Sequence, residues 1–143
     1  REALAEHLGI ATTPHNAEAV RGADIVVLAV KPQVVREALS DVRGRVEGGA
    51  LVVSIIAGTP IAALRELCGA EAIVRVMPNT PAQIGEGMSV WTATPAVTDA
   101  QAEQVRAILQ ALGQEARVDH EGYVDMATAA ARAPRTCSSL SRG

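Results

Sequence analysis

Short apolar runs alternate along the chain with segments in which apolar residues recur every three or four positions. The clearest run, Asp24–Val30, is rich in β-branched residues and is typical of a parallel strand covered on both faces. Ala50–Ile56 and Ala72–Met77 predict two further strands of the same kind. Because strands that alternate with helices build parallel sheets, the pattern predicts an α/β fold with a doubly wound parallel sheet.

Two helices are predicted to follow the first two of these strands. Apolar residues recur at helical spacing after Pro32, a residue that suits the first turn of a helix. A second helix is predicted from about Pro60 to Leu67, with Thr59 as its N-cap. The carboxyl ends of the strands therefore fall in loops that lead into helices.

The N-terminal residues predict a helix, a strand and a second helix. The segment up to Leu8 has helical spacing, and Gly9 ends it in the manner of a left-handed cap. Ile10–Thr13 is β-like, and Asn16 is the expected N-cap of a brief helix that ends near Gly22.

The second half of the chain predicts two more strands and two more helices. Gly87–Thr92 and Glu115–Val118 are β-like. Thr98 and Gln101 have the spacing of a capping box, which predicts the start of a helix. Asp119–Thr128 predicts another helix, whose acidic first turn we interpret as structural.

The composition excludes several classes of protein. The 143 residues are 48% hydrophobic and 20% charged, which is typical of one globular domain rather than a disordered chain. The net charge of -3 and the lack of a basic run disfavour nucleic acid and anionic membranes as partners. The apolar runs are too short to span a bilayer, so we expect a cytoplasmic protein without a membrane partner.

Metal and disulfide chemistry have little support in the sequence. Cys68 and Cys137 lie far apart and form no C-x-x-C pattern. The three histidines do not share the i, i+4 spacing of a helical metal site. We therefore predict two free thiols and no metal.

Two segments at strand ends are candidates for ligand binding. Ala29-Val30-Lys31-Pro32 lies where a strand meets a helix, so free amides and the Lys31 charge could bind a phosphate. Ser54–Gly58 places small residues after the next strand, where a flat ring could approach the backbone. The alternatives are a solvated lysine and an ordinary tight turn, since such loops are common in α/β proteins.

A third segment, Pro78-Asn79-Thr80-Pro81, holds two polar side chains between prolines, although it could be no more than a rigid connector. No serine or cysteine has a recognisable histidine and acidic partner, so we assign no catalytic residue. The sequence is better suited to hydride transfer, in which a cofactor carries the electrons and the protein positions the reactants.

Taken in order, Ala29–Gln33, Ser54–Gly58 and Val74–Pro81 resemble the pyrroline-5-carboxylate reductase family, and the resemblance runs from Arg1 to about Ala129. It implies that NADPH or NADH reduces 1-pyrroline-5-carboxylate to L-proline, on a Rossmann-like domain followed by a helical dimerisation domain that makes the full-length family homo-oligomeric. The cofactor contacts that it implies come from Asn16, Ala29, Val30, Lys31, Pro32, Ile55, Ile56 and Ala57.

By the same resemblance, Asn79 and Thr80 face the nicotinamide and the substrate. Ile55 and Ile56 stand where the family commonly has smaller residues, which would crowd the cofactor by their extra methylenes. Two alternatives stay open: a non-catalytic nucleotide-binding remnant, and another NADP- or deazaflavin-dependent oxidoreductase on the same scaffold.

The sequence departs from the family pattern at both ends. It starts inside the helix that follows the family's glycine-rich phosphate loop and second strand, which predicts an incomplete Rossmann-like sheet with a free, aggregation-prone edge at Ile25–Val30. We therefore expect the chain alone to be inactive.

The residues from Ala129 onward can be back-translated with codons that the genetic code permits. Translation of that DNA from the third base of the first codon gives Ser-Gly-Ser-Gly-Pro-Ala-Tyr, the family's next motif. We interpret residues 1–129 as a partial NAD(P)-binding domain, and residues 130–143 as a frame-shifted, disordered tail.

Overall fold

The computed structural model describes residues 2–78 and 87–132. Within these ranges the α-helices are α1 Glu2–Leu8, α2 Asn16–Ala19, α3 Val35–Ser40, α4 Ile61–Cys68, α5 Asp99–Gln110 and α6 Glu121–Arg132. The strands are β1 Ile25–Leu28, β2 Leu51–Ser54, β3 Ile73–Pro78, β4 Gly87–Ala93 and β5 Gly113–Arg117. A 3-10 helix, Pro32–Val34, precedes α3.

The five strands form one sheet in the order β1-β2-β3-β4-β5. β1, β2 and β3 are parallel, and β5 is parallel to β4. This arrangement confirms the predicted α/β, Rossmann-like fold. The prediction of a wholly parallel sheet is wrong at β4, which runs antiparallel to β3. Residues 79–86 are too few for a parallel crossover, which takes about a dozen residues or more, so an antiparallel pairing of β3 and β4 is expected on length alone.

Both faces of the central strands β2 and β3 are covered, which explains their unbroken apolar runs. On one face, buried residues of β1 to β3 pack with α3 and α4 around Leu39 and Leu64. On the other face, Val74 and Val76 pack with the single tryptophan, Trp91, and with α5. The central strands β2 and β3 therefore lie between two cores.

Three local predictions near the N-terminus and α4 are wrong. Ile10–Thr13 is irregular, because none of the described strands lies beside it to complete a ladder. Asn16 is the first residue of α2 rather than its N-cap, and His15 holds the cap position. The N-cap of α4 is Pro60, while Thr59 is buried.

Other sequence signals are confirmed. The Thr98 hydroxyl accepts a hydrogen bond from the Gln101 N–H, and the Gln101 side chain accepts one from the Thr98 N–H. Gly9 follows α1 with a φ of 64°, the left-handed conformation expected of its cap. The helix predicted over Asp119–Thr128 is present as α6, which runs from Glu121 to Arg132. None of the helices among residues 2–78 and 87–132 has the length and apolarity to cross a membrane.

Candidate functional site

The carboxyl ends of β1, β2 and β3 lie at one edge of the sheet. Leu28 pairs with Ser54, and Ser54 pairs with Arg75, in a continuous row across three parallel strands. The Ile55 N–H donates to the Leu28 carbonyl at 3.1 Å, which carries the ladder one residue further. The segments that begin at Ala29 and Ile55 therefore leave the sheet side by side, about 4.8 Å apart.

The segment after β1 is open to solvent. Ala29 and Lys31 are exposed, and Lys31 forms no ion pair with any residue that the structure describes. Pro32 begins the 3-10 helix, as its predicted place in a first helical turn requires. The α3 helix beyond it has only six residues, so its dipole is weaker than the sequence suggested. An anion here would be held mainly by the Lys31 charge and by free amides.

The segment after β2 divides its two isoleucines between different environments. The Ile56 N–H donates to the buried Ser54 hydroxyl at 3.3 Å, and the Ile56 side chain is 2% exposed within the core against α3 and α4. The Ile55 side chain is 38% exposed. Gly58 has a φ of 72°, and a Cβ built there would meet no heavy atom within 4 Å. Ile55 is thus the isoleucine whose side chain could crowd a ligand, while Gly58 leaves open space.

Asn16, Ala29 and Val30 meet in a groove along the free edge of β1. This groove has a volume of about 230 Å³ and is otherwise lined mainly by β1 and by apolar residues of α2 and α3. The Asn16 side chain donates through Nδ2 to the Ala38 carbonyl at 2.9 Å, so part of its hydrogen-bonding capacity links α2 to α3. The structure therefore brings these three candidates together, while Ile55–Ala57 follow the neighbouring strand.

The candidates on the substrate side, Asn79 and Thr80, lie outside the described residues. β3 ends at Pro78, directly before them, and its carboxyl end lies at the same edge as those of β1 and β2.

A buried arginine lies near this edge and was not among the site residues predicted from the sequence. Arg75 is 2% exposed, and its Nη1 donates to Glu121 at 2.8 Å while Nη2 donates to Asp125 at 2.5 Å. Burial disfavours the charged form of Arg75, but hydrogen bonds and charges from Asp125 and Glu121 outweigh it and raise the pKa of the guanidinium. A charged residue inside an apolar strand was the available signal, because a buried charge requires partners.

The structural interpretation of Glu121 and Asp125 agrees with these contacts, since both carboxylates serve a buried partner. Across the described ranges, His, Cys, Asp and Glu form no group of three or more that could hold a metal ion. Cys68 is a free buried thiol whose Sγ donates to the Leu64 carbonyl at 2.9 Å.

Comparisons of the sequence with known proteins find a family model and several similar enzymes. A family model described as NADP oxidoreductase, coenzyme F420-dependent, matches residues 1–58. The pyrroline-5-carboxylate reductase of Pseudomonas aeruginosa is 39% identical over 130 residues, which are 90% of this chain and 48% of that protein. The Corynebacterium melassecola enzyme of the same name is also 39% identical, over 88% of this chain and 48% of its own length.

Over about nine tenths of its length, the chain is similar to pyrroline-5-carboxylate reductases. It spans about half the length of the curated relatives that it matches.

Solved reductase structures share the fold. The Coxiella burnetii pyrroline-5-carboxylate reductase superimposes with a TM-score of 0.80 at 30% identity, over 90% of this chain and 48% of that one. The Plasmodium falciparum pyrroline carboxylate reductase, solved with NADP bound, gives 0.76 at 33% identity, over 83% of this chain and 45% of that one. Prephenate dehydrogenase from Aquifex aeolicus, at 17% identity with a TM-score of 0.64, over 82% of this chain and 48% of that one, shows the shared fold alone.

Proposed function

We propose that this chain forms part of the cofactor-binding domain of a pyrroline-5-carboxylate reductase, which uses NADPH or NADH to reduce 1-pyrroline-5-carboxylate to L-proline in the cytoplasm. The observation that carries the proposal is the shared edge of β1, β2 and β3, where Ala29–Pro32 and Ile55–Gly58 emerge side by side. Ligands of α/β sheets bind beyond the carboxyl ends of the strands. The similarity to reductases over nine tenths of the chain supports the same reading.

The residues present fit the nicotinamide end of a dinucleotide. Ala29 is small and exposed, and the space around Gly58 is open, so a flat ring could approach both segments. The exposed Lys31 ammonium could bind a phosphate as a point charge. The 143 residues contain no Gly-x-Gly-x-x-(Gly or Ala) pattern, so the pyrophosphate contacts of such a loop are not part of this chain.

The chemistry divides between the cofactor and the protein. When bound there, a reduced nicotinamide would supply a hydride for the carbon of the substrate C=N bond, while the nitrogen would take up a proton. The protein edge would hold the two molecules in a reactive orientation, which lowers the entropic part of the barrier. Because this chain contains only part of such a site, we expect the chain alone to give no turnover.

A chimera tests the proposal. Residues 1–129 would replace the matching segment of the Pseudomonas aeruginosa relative, and NADPH oxidation and L-proline formation would be measured with 1-pyrroline-5-carboxylate. We expect substrate-dependent oxidation with stoichiometric proline. A folded chimera that binds NADPH but forms no proline would favour a non-catalytic nucleotide-binding remnant, and one that binds no NADPH would reject the proposal.

A deazaflavin-dependent oxidoreductase is the second candidate, because the family model matching residues 1–58 carries that description. The same chimera distinguishes the two, since reduced coenzyme F420 can replace NADPH in the assay. Oxidation of the deazaflavin without any use of NADPH would favour the second candidate.

A further inference from the structure

The first turn of α4 receives its capping acceptor from a distant part of the chain. The N-cap residue, Pro60, is extended, with φ -71° and ψ 157°, and makes no side-chain capping bond. Instead, the Ile61 N–H donates to Oε1 of Glu121 at 2.7 Å. The first amides of a helix have no acceptor within the helix, and a carboxylate there also interacts favourably with the helix dipole.

Arg75 fixes the position of this carboxylate. Its Nη1 donates to the same Glu121 oxygen that accepts from Ile61, and its Nη2 donates to Asp125. Because the Arg75 side chain is 2% exposed in the middle of β3, packing sets its position. Charge-assisted bonds to a buried guanidinium are strong and directional, so Glu121 has few alternative conformations.

The loop between β2 and α4, residues 55–60, is therefore held at both ends. At its first end, the Ile55 N–H bonds to the Leu28 carbonyl and the Ile56 N–H to the Ser54 hydroxyl. At its second end, Glu121 holds the Ile61 amide. We infer that Glu121 is a positioning residue for this loop. Because Glu121 belongs to α6 and is held by Arg75 of β3, the packing of α6 against β3 determines the position of the segment proposed to line the cofactor.

Amide hydrogen exchange tests the anchor without any ligand. In the unsubstituted chain, the Ile61 amide should exchange about tenfold more slowly than the amide of Ala62, which helix geometry leaves without an intrahelical acceptor. Glu121→Ala should remove this protection, while Glu121→Gln should retain most of it because an amide oxygen can still accept the bond. Asp125→Ala is the matched control, since Asp125 bonds to Arg75 but not to Ile61.

Two results would overturn the inference. Equal exchange of Ile61 and Ala62 in the unsubstituted chain would show that the anchor does not form, and this comparison needs no variant to fold. Equal loss of Ile61 protection in Glu121→Ala and Asp125→Ala would show that the carboxylates merely support the fold.

Cofactor binding tests the second half of the inference, which rests on the proposed function. Glu121→Ala should raise the Kd for NADPH by about tenfold. The Kd values of Glu121→Gln and Asp125→Ala should stay within about threefold of the value for the unsubstituted chain. Equal weakening by Glu121→Ala and Asp125→Ala would contradict a role specific to the loop. If the unsubstituted chain binds no NADPH, the proposal of cofactor binding by this chain fails, while the exchange measurement still decides whether the anchor exists.

Discussion

Gly87 and Gly113 pair at the start of neighbouring parallel strands, and a Cβ built on Gly113 would lie 2.2 Å from the Gly87 carbonyl oxygen. Gly113 also has a φ of 147°, which L side chains rarely adopt. No flexible side chain can move aside here, because the nearest atoms belong to the backbone of Gly87. The β4–β5 pairing therefore depends on the absence of a side chain at Gly113.

Gly113→Ala should lower the free energy of unfolding by about 3 kcal/mol, because overpacking and backbone strain add. Gly22→Ala is the matched control: its φ of 68° is also positive, but nothing lies within 4 Å of the added Cβ. Strain alone should cost this control about 1 kcal/mol. Urea unfolding of both variants measures the difference, and equal losses would contradict the close approach.

Val27→Lys should reduce self-association of the chain. β1 is an edge strand of the described sheet, and Val27 is 56% exposed on it, so the free backbone groups lie beside an apolar surface. A lysine on an edge strand opposes pairing with a second copy. Val34→Lys is the control, because Val34 is 43% exposed but lies in the 3-10 helix. Sedimentation velocity over a concentration series should show less association for Val27→Lys alone, and equal effects would exclude the edge as the cause.

Cys68 should resist alkylation in the folded chain. Burial raises the pKa of its thiol, an effect that hydrogen bonds from the backbone of Ala70 and Cys68 reduce only in part. The nucleophilic thiolate therefore forms only when the site opens. In a Cys137→Ser background, iodoacetamide should modify Cys68 at a rate that rises with urea along with the unfolded fraction. Rapid modification without urea would contradict the buried environment.

The same raised pKa predicts the direction of a pH effect. The folded chain binds the Cys68 proton more tightly than the unfolded chain, so this contribution to stability is complete below the ordinary thiol pKa of 9.0 and declines as the pH rises above it. The free energy of unfolding should therefore fall more steeply above pH 9.0 in the unsubstituted chain than in Cys68→Val. Parallel pH profiles would contradict the shift.

Elements with local signals could be predicted from the sequence. Elements whose structure depends on a neighbouring part of the fold could not. β2 and β3 were predictable because their apolar runs reflect burial on both faces, and the capping box of Thr98 and Gln101 lies within four residues. Ile10–Thr13 has strand character but no neighbouring strand among the described residues. Local composition does not record whether such a neighbour exists.

The candidate site was predictable as far as topology determines it. Because β1 and β2 are parallel, Ala29 and Ile55 both lie at the carboxyl ends of the strands. The sequence motifs that begin at Ala29 and Ser54 had identified both segments. The inward direction of Ile56 and the anchoring of Ile61 by Glu121 were not predictable, because they depend on tertiary packing. Pro60 at the N-cap in place of Thr59 has the same cause, since a carboxylate from α6 supplies the missing acceptor.

Amide chemical-shift mapping during an NADPH titration tests the central claim most directly, because it reports binding residue by residue. We predict saturable shifts concentrated at residues 29–31 and 55–58, with little change at Gly48–Ala50 on the opposite edge of the sheet. Shifts centred on the amino ends of the strands, or no shifts at millimolar NADPH, would contradict a nicotinamide site at the carboxyl ends of β1 and β2.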